Sequence, residues 1–321
     1  MTNPVGVSNK LTGSAFGALT IPVATQVQNH LALSGGAFKG DELVLLMAGA
    51  NDVFMQLAGL SAGATAAGST VFGNTLVALL AAGANNVQSA TLAIGMALQT
   101  EAARSGHTDA SVVAAAVGAA AIQPGNSAVA APAVYGPMVT QAQAAGAKAG
   151  ADYAAATGPT LVTAMVAAAT ELTAVVKEQI IGKGANFVVV NNVPDIGSTP
   201  FAKTIDANTL ALVNAMVKAF NDTLSAGLAA DPKVAYVDAF FLSHDQATNP
   251  ASYGLSNVTV PACDLSPAKN PLASSLACNG SNLIAGDVSH YAFADDVHPT
   301  PFVQLLLARF VSKSLVQKGW L

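Results

Sequence analysis

The chain has 321 residues, of which 52% are hydrophobic and only 10% are charged, and its formal net charge is −5. This length allows one large domain or two smaller ones with a sizeable core. The 13 lysines and arginines form no basic run, which excludes a typical nucleic-acid-binding groove. We expect no cofactor and no metal, because no His, Cys, Asp and Glu residues stand at metal-ligand spacing and no glycine-rich loop opens a helix.

A membrane-spanning helix is not expected either. The most apolar stretch, residues 110–135, is interrupted by Pro124, Gly125 and Pro132. Spanning the bilayer takes about 20 continuous, strongly apolar residues.

Three short apolar runs predict buried parallel strands, at residues 43–47, 187–190 and 234–237, because none of them alternates with polar residues. Helical three-four spacing lies between and after them. The predicted helices cover residues 161–176, 210–228 and 303–311. Gly182 or Gly184 ends the first, Asp206 caps the second, and Thr300 with Pro301 opens the third. The alternation of strands and helices predicts an open α/β sheet.

Residues 56–155 depart from this alternation. They are rich in Ala and Gly, contain several weak helical segments and show no strong strand pattern. We interpret them as a helical insertion within a single domain that covers residues 1–321. Two roles remain open for it: a lid over a site, or a structural cap or partly mobile arm.

Two blocks carry candidate chemistry. Gly49 and Asn51 follow the first predicted strand, where the carboxyl ends of parallel strands border a ligand crevice. An Asn side chain there suits the stabilisation of a developing oxyanion, although Gly-x-Asn-Asp is also good turn sequence. Asp295 and His298 precede the last helix, at a spacing that folds the carboxylate onto the imidazole of a general base.

The other histidines are given structural or surface roles. His30 is placed on a helix, His107 in the insertion and His244 in a loop. His290 is expected at the surface, with a place in the pocket as the alternative.

The two cysteines, Cys263 and Cys278, lie in one Pro/Ser/Asn-rich loop. They are either two free thiols or a disulfide, and we favour the disulfide, which implies an oxidising compartment. Residues 1–6 nevertheless lack the basic start and apolar core of a signal peptide. We therefore expect an exported protein whose N-terminus is incomplete here.

Together these motifs resemble the SGNH/GDSL-type esterases and lipases. Ala48–Asp52 is similar to their Gly-x-Asn-Asp block and Asp295–His298 to their Asp-x-x-His block, while residues 190–200 and 25–31 resemble the segments near these blocks. The resemblance is nearest to a secreted bacterial lipase or lysophospholipase branch. It implies a three-layer, flavodoxin-like fold and hydrolysis of carboxylic esters or lipids, with acyl transfer to another alcohol also possible. His298 would be the base, Asp295 its orienting partner, and Asn51 with Gly49 the oxyanion hole.

The chain departs from this family in its nucleophile, which remains unknown. The family's serine stands in a Gly-Asp-Ser block after a first strand, whereas Gly40-Asp41 is followed here by Glu42. Ser8, Ser14 and Ser34 precede Asn51, but none follows an apolar strand. We expect a truncated, weakly active or inactive chain from a secreted or periplasmic parent. Its first strand would then be left as an exposed edge that invites self-association.

A non-enzymatic alternative is an Ala-rich amphipathic protein that coats a hydrophobic surface. The low charge and the long insertion favour it, and transient contact with lipid or insoluble substrate would fit either function. The Asp-x-x-His block and the buried strands speak against it, because a coat protein needs neither.

Overall fold

The computed structural model describes residues 21–321, and Ser8 and Ser14 lie outside this range. The described chain divides into two compact units, one of residues 21–56 and 160–321 and the other of residues 57–159. The helices, in chain order, are α1 (Val23–Leu33), α2 (Ala50–Ala81), α3 (Val87–Ala102), α4 (Asp109–Ala121), α5 (Pro132–Ala174), α6 (Ala207–Leu228), α7 (Ala239–Thr248) and α8 (Pro301–Gln317).

The first unit contains a parallel sheet of three strands, β1 (Leu43–Met47), β2 (Phe187–Asn191) and β3 (Val234–Val237), in the order β1-β2-β3. All three predicted strands are confirmed, and the second is one residue longer than predicted. In register, Leu43 lies opposite Phe187 and Val188 opposite Val234. The predicted α/β class is therefore correct.

Helices cover both faces of the sheet. Val189, Ala235 and Val237 pack against Leu315 of α8 on one face. Successive strand residues point to opposite faces, so Tyr236 faces the other way, and its hydroxyl donates a hydrogen bond to the carbonyl of Asn221 in α6. β2 and β3 are thus covered on both faces, which explains their continuous apolar runs. On β1, Leu43 and Leu45 are 45% and 62% exposed, so the prediction that this strand is buried is wrong.

The predicted helix signals are also found. Asp206 caps α6 by accepting hydrogen bonds from the backbone N–H groups of Asn208 and Thr209, and Thr300 caps α8. Residues 161–176 belong to the end of α5 and to a π-helical turn, Val175–Ile180, that follows it. A short 3₁₀ segment then ends at Gly184, whose φ of 110° is left-handed.

The second unit is helical, and within residues 57–159 the structure contains no strand. Its core is formed by Leu76, Leu80, Ile94 and small alanines. The backbones of α2 and α5 approach closely at Gly68 and Gly146, where a Cβ on either glycine would come within 2.9 Å of the other's carbonyl oxygen. The abundance of Ala and Gly here therefore has a packing reason.

Two helices of the described chain, Ala50–Ala81 and Pro132–Lys183, are long and apolar enough to cross a membrane. This criterion uses length and composition alone, and core helices of soluble proteins also satisfy it. The expectation of no membrane-spanning segment therefore stays a prediction.

Candidate active site

The first part of the site is the turn that joins β1 to α2. Gly49 has a φ of 108°, and a Cβ at this position would lie 2.6 Å from Phe220 and from Val193. Only glycine satisfies both the left-handed backbone and the close packing. The chain can then enter α2 at once, which places Asn51 in the first turn of that helix.

The second part is the loop before α8. His298 Nδ1 lies 2.9 and 2.8 Å from the two carboxylate oxygens of Asp295. The Asp295 side chain is only 4% exposed, whereas that of His298 is 36% exposed. The backbone N–H groups of Val297 and His298 donate to Asp295 Oδ1, and that of Ser275 donates to Oδ2 at 2.6 Å.

These hydrogen bonds decide the charge of Asp295. Burial alone would raise the pKa of its carboxyl group, but the hydrogen bonds from the His298 side chain and from the backbone of residues 298, 297 and 275 outweigh burial. They hold the pKa of Asp295 well below its usual range. A permanently ionised carboxylate beside Nδ1 fixes the ring and leaves Nε2 as the nitrogen that can accept a proton.

The two parts meet in one cavity of about 520 Å³. Asn51 and His298 both line it, although their positions differ by almost 250 residues, and Phe54, Val303 and Leu307 contribute to its apolar wall. Within residues 21–321 the Asn51 side chain makes no hydrogen bond. The amide and the imidazole therefore face a common space and are both available to a ligand.

The disulfide between Cys263 and Cys278 is present, as predicted. Its loop supports the histidine turn from two sides. The backbone N–H of Cys263 donates to the carbonyl of Ala294, and Ser275, three residues before Cys278, provides the bond to Asp295.

Two described serines line the cavity, and neither is bonded to His298. The Ser198 hydroxyl donates to Asp195 Oδ2. The Ser243 hydroxyl donates to the carbonyls of Ala239 and Phe240. Ser34, considered from the sequence, follows α1 and bonds the carbonyl of Ala37.

The remaining histidines lie elsewhere, and one differs from expectation. His244 was predicted in a loop, which is wrong. It lies on α7, and its Nδ1 is 2.7 Å from Asp195 Oδ2. His30 lies on α1 and stacks on Phe38. His290 is exposed and stacks on Phe302 outside the cavity lining.

Sequence reasoning missed several polar residues of the cavity, among them Asp195 and Gln246. Asp195 stands four residues after the end of β2, so its position near the carboxyl end of a parallel strand was a usable signal. Gln246 had no such signal, because it lies within α7 and only the packing of that helix brings it to the cavity.

The family model described as GDSL-like Lipase/Acylhydrolase matches residues 62–311, and the chain belongs to this family. The matched range includes Asp295 and His298 and begins after Asn51. A GDSL esterase/lipase of Arabidopsis thaliana is 28% identical over 137 residues, which are 39% of this chain and 36% of that protein. Another from the same plant is 30% identical over 131 residues, 37% of this chain and 34% of that protein.

The matches thus span about a third of the length of these relatives. Both are plant proteins, whereas the sequence resemblance pointed to a bacterial branch.

Proposed function

We propose that this chain carries the histidine side and the oxyanion side of a carboxylic ester hydrolase that works by serine acyl transfer. The observation that carries the proposal is that the His298–Asp295 pair and Asn51 line the same apolar cavity. The fold we assign to this machinery is the three-layer, flavodoxin-like arrangement of the SGNH hydrolases, with residues 56–155 as an insertion and possible lid.

In the proposed reaction a serine oxygen attacks the ester carbonyl while His298 Nε2 takes the hydroxyl proton. The oxygen of the tetrahedral intermediate receives hydrogen bonds from the Asn51 amide and the Gly49 backbone. The C–O bond of the alcohol then breaks, and the proton on Nε2 goes to the leaving oxygen. Water repeats the cycle on the acyl-enzyme, and another alcohol in its place would give acyl transfer.

We further propose that the chain by itself is weakly active. In the described range both cavity serines are engaged with other partners, and neither hydroxyl is bonded to His298. In a comparable triad system, loss of the serine lowers turnover by about 10⁶. The low turnover that we expect to remain should depend on His298, because without a serine the imidazole can still act as a general base on water, an effect of about 10²–10⁴.

The test uses p-nitrophenyl butyrate with three proteins: the wild type, His298→Ala and His290→Ala. His290 is the matched control, because it lies close in sequence but outside the cavity lining. We expect low wild-type turnover that falls to the buffer rate in His298→Ala and persists in His290→Ala. Turnover that survives in His298→Ala would overturn the proposal. A fluorophosphonate probe on Ser198 or Ser243 would identify a nucleophile within this chain.

The substrates we propose are esters with an apolar acyl chain, such as lipids, in keeping with the cavity wall. The disulfide supports an exported, oxidising location. Transient contact with a lipid or insoluble surface is supported by residues 53–100, which contain no charged side chain, and by the exposed Leu92 and Met96 of α3.

We also propose self-association through β1. Within the described sheet β1 pairs on one side only, with β2, and Leu45 on it is 62% exposed. An apolar strand edge of this kind invites pairing with another chain. Light scattering should show a concentration-dependent dimer that Leu45→Lys abolishes, and a monomer at all concentrations would exclude it.

A further inference from the structure

We propose that Asp195 and Gln246 form a polar subsite that selects esters bearing an uncharged hydroxyl group. This inference rests on the proposed ester hydrolysis and names its substrate class. Both residues line the same cavity as His298 and Asn51.

Asp195 is a buried carboxylate, and one of its two oxygens already has hydrogen-bond partners. Its side chain is only 8% exposed. Oδ2 accepts from the Ser198 hydroxyl and lies 2.7 Å from His244 Nδ1. Its backbone N–H donates to the Ser243 hydroxyl at 2.8 Å, which ties the loop after β2 to α7. No residue in the range 21–321 donates to Oδ1, so this oxygen retains its capacity to accept a hydrogen bond.

Gln246 provides a hydrogen-bond donor, where Asp195 provides an acceptor. It lies on α7, less than one turn after Ser243, and is only 5% exposed. Its Nε2 is buried and finds no acceptor among the described residues. Buried polar groups are as a rule hydrogen-bonded, and an unpaired one is costly. An unpaired donor in the wall of an apolar cavity is what a site built to hydrogen-bond a ligand contains.

The chemistry of the ligand follows from this pair. A hydroxyl group both donates and accepts, so its chemistry matches both the carboxylate acceptor and the amide donor. In the described range the cavity lining contains the Asp195 carboxylate and no Lys or Arg. A phosphate would therefore lie near the Asp195 carboxylate in a described lining whose basic side chain is the His298 imidazole and which lacks a permanently charged cation. The subsite thus favours neutral esters of polyols, such as monoacylglycerols, over phosphate-bearing lipids.

Binding of non-hydrolysable ethers tests this without any need for turnover. The probes are 1-O-hexylglycerol, hexyl methyl ether and hexyl phosphate, which share one alkyl chain. Titration calorimetry with the full chain should give 1-O-hexylglycerol an affinity about 10-fold higher than either of the others, which corresponds to the value of one or two added hydrogen bonds.

The substitutions Gln246→Leu and Asp195→Ala should each remove the preference for 1-O-hexylglycerol. Both variants should bind hexyl methyl ether with the affinity of the wild type. The control is Asp222→Ala, an exposed carboxylate on α6 that pairs with Lys218. Asp195 also holds Ser198 and His244, so Gln246→Leu carries the test if Asp195→Ala fails to fold.

Equal affinities in the wild type, tighter binding of hexyl phosphate, or a preference that survives Gln246→Leu would each overturn the subsite. Loss of selectivity with His298-dependent turnover intact would overturn this inference alone. Loss of that dependence would overturn the proposed function.

Discussion

The backbone N–H of Ser275 lies 2.6 Å from Asp295 Oδ2, and Ser275 belongs to the loop that the Cys263–Cys278 disulfide closes. The loop closed by the crosslink is therefore hydrogen-bonded directly to the proposed orienting carboxylate. Because the loop donates to Asp295 and not to His298, it acts on the ring through the carboxylate.

Replacement of both cysteines by alanine should lower the free energy of unfolding by about 3 kcal/mol, the chain-entropy value for a loop of this size. Urea unfolding of the double variant checks this. Dithiothreitol should destabilise the wild type by a similar amount and leave the double variant unchanged. An unfolding free energy equal to that of the wild type would show that the crosslink does not contribute.

Asp295→Asn should lower the free energy of unfolding at pH 7 by about 2 kcal/mol, since it weakens charge-assisted hydrogen bonds in a buried setting. The folded protein lowers the pKa of Asp295, so the ionised carboxylate stabilises the fold. This stabilisation is complete above the unfolded pKa of about 3.9 and is lost as the pH falls from there through the lower folded pKa.

Unfolding in urea at pH 7 and at pH 3 measures this dependence, and the difference between wild type and Asp295→Asn should be smaller at pH 3. Asp222→Asn serves as the control, because its carboxylate is exposed in a surface pair with Lys218. A difference that is the same at both pH values would contradict the role of the ionised carboxylate.

Gly49→Ala should destabilise the protein by roughly 3 kcal/mol, because a left-handed φ and contacts of 2.6 Å with Phe220 and Val193 act together. Gly36→Ala separates the two effects. Gly36 has a φ of 88° and nothing within 4 Å of its ideal Cβ, so only the backbone cost of about 1 kcal/mol remains. Thermal unfolding compares the two variants, and equal losses would mean that the close packing is unimportant.

Asn126→Ala should loosen the helical unit. The buried Asn126 amide donates to the carbonyls of Leu80 and Ala120, at 2.8 and 3.0 Å. Its removal takes away both hydrogen bonds and leaves the Ala120 carbonyl with backbone donors such as Gln123, at a cost of about 2 kcal/mol. Hydrogen exchange should rise throughout residues 57–159. Gln123→Ala, which removes a local, half-buried bond to Ala119, is the matched control and should change exchange only nearby.

The sequence by itself determined the strands and the helix ends. Continuous apolar runs specified β2 and β3 because both faces of the sheet are covered there, and the same pattern located β1 although one of its faces is exposed. Asp206 and Thr300 marked helix starts because capping is a local interaction. The spacing of Asp295 and His298 likewise determined their contact, since three residues of one turn suffice to bring the carboxylate to the ring.

Only the tertiary structure decided which distant side chains share the cavity. Gln246 and His244 lie on α7 with no distinguishing pattern. The packing of α7 against the loop after β2 brings Gln246 to the cavity wall and His244 Nδ1 to within 2.7 Å of Asp195 Oδ2. The unpaired state of Gln246 Nε2 is also a property of its surroundings. The physical reason is that local hydrogen bonding and periodicity act over a few residues, whereas a cavity wall depends on how separate elements pack.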